Sequence, residues 1–422
     1  MAVELHDGDR AMLAGAEGEA ARMAMEIVVA MAEAAGAERL VDIVSGHIDG
    51  ALYHGQVSLD FAERLVEGGA RVSVPTTLNV GSLDLLHPDL YRGDEGTARA
   101  GRRLMDLYVA MGCRPTWTCA PYQMDARPVF GEHVAWAESN AIVFANSVLG
   151  ARTDRYGDFI DICAAITGRA PYAGLHVDEN RRGEVLFLVG GLPDRLLEED
   201  VLYPVLGHMV GLESGTLVPV IEGLPAGESE DRLKTLGAAA ASSGSVGLFH
   251  AVGVTPEAPT LEAAFHGTDP ARTIEVTTER IAQARESLTT ASDGELHAVS
   301  VGTPHFSLSE FERLVGLLDG AHIADGVAFY VSTGRSVLAE AEARGWADVC
   351  ERAGITIVAD TCTYVTPILR SDVRVVMTNS GKWAYYAPGN LGVQVVFGSL
   401  AECVRSAVEG KVWRDPGLWA DG

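Results

Sequence analysis

Basic residues are scarce in this chain. Of 422 residues only 32 are Lys or Arg against 58 Asp or Glu, a formal net charge of −26. Such a field repels phosphate backbones and anionic lipid surfaces, and no basic stripe offsets it. Neither nucleic acid nor a membrane is therefore expected as a partner, and the excess acid reads as solvated surface. No apolar run reaches the roughly 18–20 residues that a spanning helix needs. The start, MAVELHDGDRAML, lacks the basic and long apolar stretches of a secretory signal. Cysteine is sparse as well: Cys113, Cys119, Cys163, Cys350, Cys362 and Cys403 are scattered, without the spacing of a disulfide scaffold or a zinc ribbon. GxGxxG after a strand, a Walker loop, a GxSxG elbow and HExxH are all missing, which removes support from nicotinamide, ATP, serine-hydrolase and zincin readings. What remains is a soluble cytoplasmic protein, 47% apolar and 21% charged, long enough for about three structural units.

Apolar runs of strand length alternate with helix-period segments from end to end. DGDRAMLAGAEGEAARMAMEIVVAMAEAAG reads as helix, LVDIVSG as a buried strand, SLDFAERLVEGG as a capped helix and RVSVPTT as a strand. The alternation continues through EVLFLVGG, TLVPVIEG, LHAVSVG, GVAFYVSTG, ITIVADT and VRVVMTNSG. Strands alternating with helices imply parallel sheets of βαβ units, in which ligands gather at strand C-termini. The expected divisions are 1–215, 216–360 and a C-terminal segment 361–422.

The loops after the apolar runs carry the chemistry. In the first, Ser45, His47 and Asp49 follow a strand, with His47 and Asp49 as an acid/base or orienting pair, or simply a polar turn with a satisfied histidine. Thr76, Thr77 and Asn79 supply neutral donors for a small polar substrate, or cap the next element. Cys119 lies in a loop before Pro121, and Glu138, Asn140, Asn146 and Ser147 read as one helix over 135–147. Arg152 and Thr153 follow, with Arg152 placed to fork a carboxylate or simply to be a surface charge. Cys163 lies in a short helix pattern; Gly302–Ser307, Asp360–Tyr364 and Thr378–Trp383, which includes Lys382, follow three further strands. Cys119 and Cys362 thus both sit in strand-exit loops, where a metal or an iron–sulfur cluster has a place, although their spacing alone is a weak signal.

The segments CAPY (119–122), GEHVAWAESNAIVFANSVLGART (131–153), GRAPYAGLHVDENR (168–181), GTPHFS (302–307), DTC (360–362) and TNSGKWAYYAPG (378–389) resemble aconitase X, a divergent branch of the aconitase superfamily, in order across roughly 1–412. The resemblance implies an aconitase-like α/β fold, three α/β domains with mainly parallel sheets around a central cluster site. It also implies a fourth, swivelling domain, absent here and expected on a separate small subunit that donates a serine base. The implied activity is iron–sulfur-dependent dehydration of cis-3-hydroxy-L-proline, with mevalonate 5-phosphate as the alternative substrate. Arg155–Ala165 looks like the hydroxyproline type, and an acidic chain is a poor host for a phosphomonoester. Many members have cysteine where Thr303 stands, so position-by-position transfer gives Cys119 and Cys362 as cluster ligands, with Cys163 as candidate third. With so few thiolates a [2Fe–2S] centre is favoured over [3Fe–4S] or [4Fe–4S].

In cis-3-hydroxy-L-proline the α-hydrogen lies opposite the hydroxyl, which permits anti elimination. A Lewis-acidic iron eases hydroxide departure, and donors on the carboxylate stabilise the charge that builds as the α-hydrogen leaves. Candidate carboxylate grips are Arg152, Lys382, Ser45, Thr76, Thr77 and Asn79. Asn146, Ser147 and Thr153 complete the candidate substrate lining, and His47 or Glu138 is the candidate acid. A redox- or iron-sensing binding protein and a non-catalytic scaffold subunit are the competing classes.

Overall fold

The computed structural model describes residues 3–291 and 294–419. The chain divides into two units, 1–83 with 93–182, and 84–92 with 183–422. The expected boundaries at 215 and 360 both fall inside the second unit. Gly215 there ends the helix Leu202–Ser214 and leads into the next strand.

In the first unit the strands are β1 (Leu40–Asp42), β2 (Gly46–Ile48), β3 (Thr76–Leu78), β4 (Ala135–Trp136) and β5 (Arg169–Pro171). β2 is the centre of a parallel β3–β2–β4 sheet, with His47 opposite both Thr77 and Trp136. β1 and β5 form a separate antiparallel pair. The helix Glu19–Ala34 forms because Ala20, Ala24, Met25, Val28 and Ala32 recur on one face, and that face is buried. The single helix read from Asp7 onward is two, Asp7–Leu13 and Glu19–Ala34. Gly15 and Gly18 lie between them at φ +84° and +97°, a conformation other residues rarely adopt. The expected strand Arg71–Thr77 begins only at Thr76, because Pro75 brings no donor to a ladder and Val72 and Val74 are half-exposed.

The second unit has two parallel sheets. β6 (Val185–Leu188), β7 (Pro219–Glu222), β8 (His250–Ala251) and β9 (Arg272–Glu275) are ordered β8–β7–β6–β9. β10 (Ala298–Phe306), β11 (Ala328–Thr333), β12 (Ile355–Ala359), β13 (Val375–Thr378) and β14 (Gln394–Phe397) are ordered β12–β11–β10–β13–β14. Near-continuous Val/Ile/Phe runs suit strands covered on both faces. Val299, Val301, Phe329, Val331 and Met377 pack with Phe311 and Leu314 of the helix Leu308–Leu318. The helices Leu202–Ser214 and Glu230–Ser243 approach so closely that a Cβ on Gly207 would lie 2.1 Å from the Leu236 carbonyl oxygen.

Three strand exits of the five-stranded sheet place the candidate ligand loops. β10 pairs with β11 in register through Val301 and resumes only at Phe306, so residues 302–305 leave the ladder. Gly302 makes the departure at φ +88°, where a Cβ would sit 2.1 Å from the Ser332 carbonyl oxygen. Cys362 follows β12 and Lys382 follows β13.

Candidate metal centre and active-site residues

In the first unit β2 carries His47 fully buried. Its Nδ1 lies 2.8 Å from the Thr77 hydroxyl, and that hydroxyl reaches the Gly46 carbonyl at 3.4 Å. The two contacts share one hydroxyl proton, so Nδ1 donates to the Thr77 oxygen or accepts from it according to the tautomer. Burial pulls the imidazole down to about 4 against the opposing pull of Glu138, so the ring is neutral at neutral pH.

Two residues along, Asp49 accepts from the Asn79 amide. Its backbone N–H donates to Asp161 Oδ2 at 2.8 Å, and Ile162 N–H donates to Asp161 Oδ1 at 2.7 Å. Burial, reinforced by Glu138 and Asp158, pushes the Asp49 carboxyl up to about 7, and burial pushes Asp161 up to about 6. Without a cation beside it, the Asp49 carboxyl keeps a proton up to about neutral pH, whereas Asp161, accepting two backbone N–H groups, ionises earlier. Asp49 was expected as the acid/base or orienting partner of His47, whereas Asp161 was not among the expected site residues. The signal for Asp161 was an acid inside the apolar run Ile160–Ile166, and for Asp49 its i+2 spacing from His47.

The segment 135–147 is not one helix. Ala135–Trp136 is β4, and Glu138 is the N-cap of Ser139–Phe144, accepting from Ala141 N–H at 2.8 Å; a π-helical turn, Ala145–Leu149, follows. Glu138 also accepts from the Asn140 amide at 2.7 Å, which in turn donates to the Cys119 carbonyl at 2.6 Å and accepts from the Tyr122 hydroxyl at 2.5 Å. His47, Thr77, Asn79, Asp49, Glu138 and the Cys119 loop thus belong to one buried polar region of this unit.

Other expected substrate contacts are engaged in holding the chain. The Asn146 side chain bonds both backbone groups of Thr153 at 3.0 Å, and Arg181 at 3.0 Å. The Thr153 hydroxyl bonds both backbone groups of Trp136 at 3.1 Å. Arg152 bonds Asp178 at 3.0 Å and the Gly150 carbonyl at 2.8 Å. Ser147 is buried in the π turn. Ser45 accepts from Trp136 Nε1 at 3.3 Å, and Thr76 donates to the Val74 carbonyl at 2.8 Å. Cys163 is buried on Ile160–Thr167, where burial and Asp161 push its thiol well up. Among the described residues it joins no group of three ligand-type side chains.

In the second unit, Asp360 adopts φ +62° just before the Cys362 turn. It is fully buried and paired with Arg335, one bond at 2.7 Å, and it accepts from Leu85 N–H at 3.0 Å. Asp84 accepts from Ala359 N–H at 2.8 Å. The Cys362 carbonyl accepts from Val365 and Thr366 N–H. Cys362 is 1% exposed and His305 is fully buried, with a ring nitrogen and Sγ within 4.8 Å of one another. Lys382 is buried in the first turn of Gly381–Leu391, whose N-cap, Ser380, accepts from Trp383 N–H at 3.0 Å and donates to the Thr303 carbonyl. A buried thiol beside a buried imidazole is a donor set that suits a soft metal centre. His305 lies in the expected Gly302–Ser307 loop, where its sequence position alone gives no sign of ligation. A cavity of about 950 Å³ elsewhere in this unit, lined by Arg232, Arg313, Arg405 and Trp413, contains none of these ligand-type residues.

Models of the aconitase X first, second and third domains match residues 2–179, 183–286 and 296–409. A cis-3-hydroxy-L-proline dehydratase of Pseudomonas aeruginosa is 46% identical over 406 residues, covering 96% of this chain and 70% of that protein. One from Hypocrea jecorina is 41% identical, covering 97% and 69%. A phosphomevalonate dehydratase large subunit of Methanocaldococcus jannaschii is 35% identical, covering 93% and 97%. The crystal structure of Thermococcus kodakaraensis aconitase X (holo-form) superposes with a TM-score of 0.85 at 36% identity, covering 96% of this chain and all of that one. With three consecutive domain models, matching topology and relatives that all carry dehydratase names, the chain belongs to the aconitase X family of dehydratases, which are hydro-lyases.

Proposed function

We propose that this chain is the large subunit of an iron–sulfur dehydratase acting on cis-3-hydroxy-L-proline, giving an enamine that tautomerises to 1-pyrroline-2-carboxylate. The observation that carries the choice of substrate is identity: 46% and 41% to relatives named for that substrate, against 35–38% to those named for phosphomevalonate. The deficit of basic residues supports the same choice, because a phosphomonoester asks for a cationic cradle that a carboxylate does not. A separate small subunit is supported by the large-subunit names of relatives matched over nearly their whole length.

Cys119 and Cys362 are the proposed thiolate ligands, as the family resemblance implies, and the buried imidazole of His305 within 4.8 Å of the buried Cys362 thiol in the second unit supports a metal centre there. Two thiolates favour the [2Fe–2S] form. When bound, the centre supplies a Lewis acid for the departing hydroxyl. Lys382, with the N–H groups of its helix turn, receives the substrate carboxylate and the charge that builds there. Thr77 and Asn79 keep their proposed place in the polar lining, and Ser45, Thr76, Asn146, Ser147, Arg152 and Thr153 support it from behind. Neutral His47 accepts or relays at Nε2. The proton for the leaving hydroxyl comes from the carboxyl pair of Asp49 and Glu138, since Asp49 keeps a proton near neutrality. The base that takes the α-hydrogen comes from the small subunit, as the family resemblance implies.

The test is an anaerobic assay of the reconstituted chain with its small partner, running cis-3-hydroxy-L-proline and mevalonate 5-phosphate side by side. Loss of the first with appearance of 1-pyrroline-2-carboxylate is expected. A fully loaded enzyme that leaves it untouched while consuming the phosphate ester rejects the substrate assignment.

A further inference from the structure

Resting on the iron–sulfur reading above, we infer that His305 is itself a cluster ligand through Nδ1, so that the centre has mixed thiolate and imidazole ligation. Three observations from the second unit carry this. First, the ring is held in one tautomer. His305 Nε2 lies 3.1 Å from the Thr361 carbonyl oxygen, an atom that only accepts, so the proton sits on Nε2 and the lone pair on Nδ1. A ligating histidine commonly gives its other N–H to a backbone carbonyl in this way, which fixes the ring and raises its basicity. The acceptor is one residue before Cys362, so the same loop that presents the thiol also orients the imidazole.

Second, a His305 ring nitrogen and Cys362 Sγ are within 4.8 Å of one another and both side chains are buried. Small side-chain rotations bring such donors onto one centre, where metal–nitrogen and metal–sulfur bonds run about 2.0 and 2.3 Å. Third, the turn that carries His305 offers no sulfur. Thr303 fills the preceding position, and its buried hydroxyl has no hydrogen-bond partner. A neutral hydroxyl is a weak ligand for iron, whereas a neutral imidazole is a good one. The backbone of the turn is also anchored, since Lys234 donates to the His305 carbonyl at 3.4 Å while bonded to Asp231 at 2.9 Å and to Glu310. The imidazole is thus held at both its backbone and its far nitrogen before any metal arrives.

Imidazole ligation places nitrogen nuclei in direct contact with the unpaired electron of a paramagnetic cluster, and raises the reduction potential above that of an all-thiolate centre. The experiment is pulsed electron paramagnetic resonance on the anaerobically reconstituted chain, grown with natural or ¹⁵N-labelled histidine and brought to its paramagnetic state. Strong nitrogen couplings that change with the label are expected. His305→Cys is expected to keep iron and sulfide at the wild-type stoichiometry while losing those couplings and lowering the potential. A loaded wild-type cluster without histidine nitrogen coupling overturns the assignment, as does an unchanged coupling in His305→Cys. The labelling arm needs no variant, so a loaded cluster without histidine coupling overturns the assignment even where the substitution folds poorly. A wild-type chain that takes up neither iron nor sulfide overturns the iron–sulfur reading itself, and this assignment with it.

Discussion

Replacing Asp49 by Asn tests whether the buried carboxyls of the first unit are accommodated as neutral acids. Folding raises the Asp49 carboxyl from an ordinary value near 3.8 to about 7. A raised acid is best tolerated protonated. Its share of stability is complete below the unfolded value and drains away as pH climbs through the folded one. A shift of about 3 units at 1.36 kcal/mol each gives a full cost of about 4 kcal/mol, of which roughly 3 kcal/mol falls between pH 5 and pH 8. Asparagine has nearly the shape of a protonated aspartic acid and cannot ionise, so Asp49→Asn escapes that loss. Asp161 remains in both proteins and cancels to first order. At roughly 2–4 °C per kcal/mol for a unit of this size, the gap in Tm between variant and wild type should widen by about 6–12 °C across that interval. Differential scanning calorimetry of the two apoproteins from pH 5 to 9 measures it. A gap that stays constant with pH would falsify the account of Asp49 as a proton-holding group.

Anaerobic iron and sulfide analysis should show Cys119→Ala and Cys362→Ala depleted, with Cys163→Ala close to wild type; depletion in Cys163→Ala alone would reverse the ligand assignment. Gly207→Ala forces a methyl group against the Leu236 carbonyl, so the two helices must separate, at a cost of about 1–3 kcal/mol or more in urea unfolding. Arg335→Met strips the buried Asp360 carboxylate of its cation; about 3 kcal/mol of stability should be lost in urea unfolding at neutral pH, and Asp360→Asn should recover part of it.

Much of the architecture was legible in the sequence. The Val/Ile/Phe runs at 185–188, 298–301, 328–333, 355–359 and 375–378 are strands because both sheet faces are covered, and periodicity reports that directly. What periodicity misses is where a polar side chain takes over a backbone group. Glu138 reads as mid-helix because it lies in a run of small and apolar residues, yet its carboxylate caps Ala141 N–H and the helix starts after it. The candidate site was read from side-chain chemistry alone, in the thiols, in His47 and in the polar lining. Asn146 and Thr153 look like binding groups in sequence, and only their bonds to one another show that they brace a turn. His305 went unassigned because a histidine's use depends on which nitrogen is already engaged, and that is a property of the Thr361 carbonyl.

The stretch Asp84–Arg92 groups with residues far downstream, not with its sequence neighbours. Its Asp84 carboxylate holds Ala359 N–H, its Leu85 N–H is held by Asp360, and Arg92 reaches the Ile368 carbonyl at 3.0 Å. Severing the chain at 182/183 therefore yields no clean halves. The downstream piece would leave behind nine residues that brace the very turn presenting Cys362, and its thiol would be offered from a slackened loop. Anyone wishing to study that half by itself must graft the nine-residue brace back on.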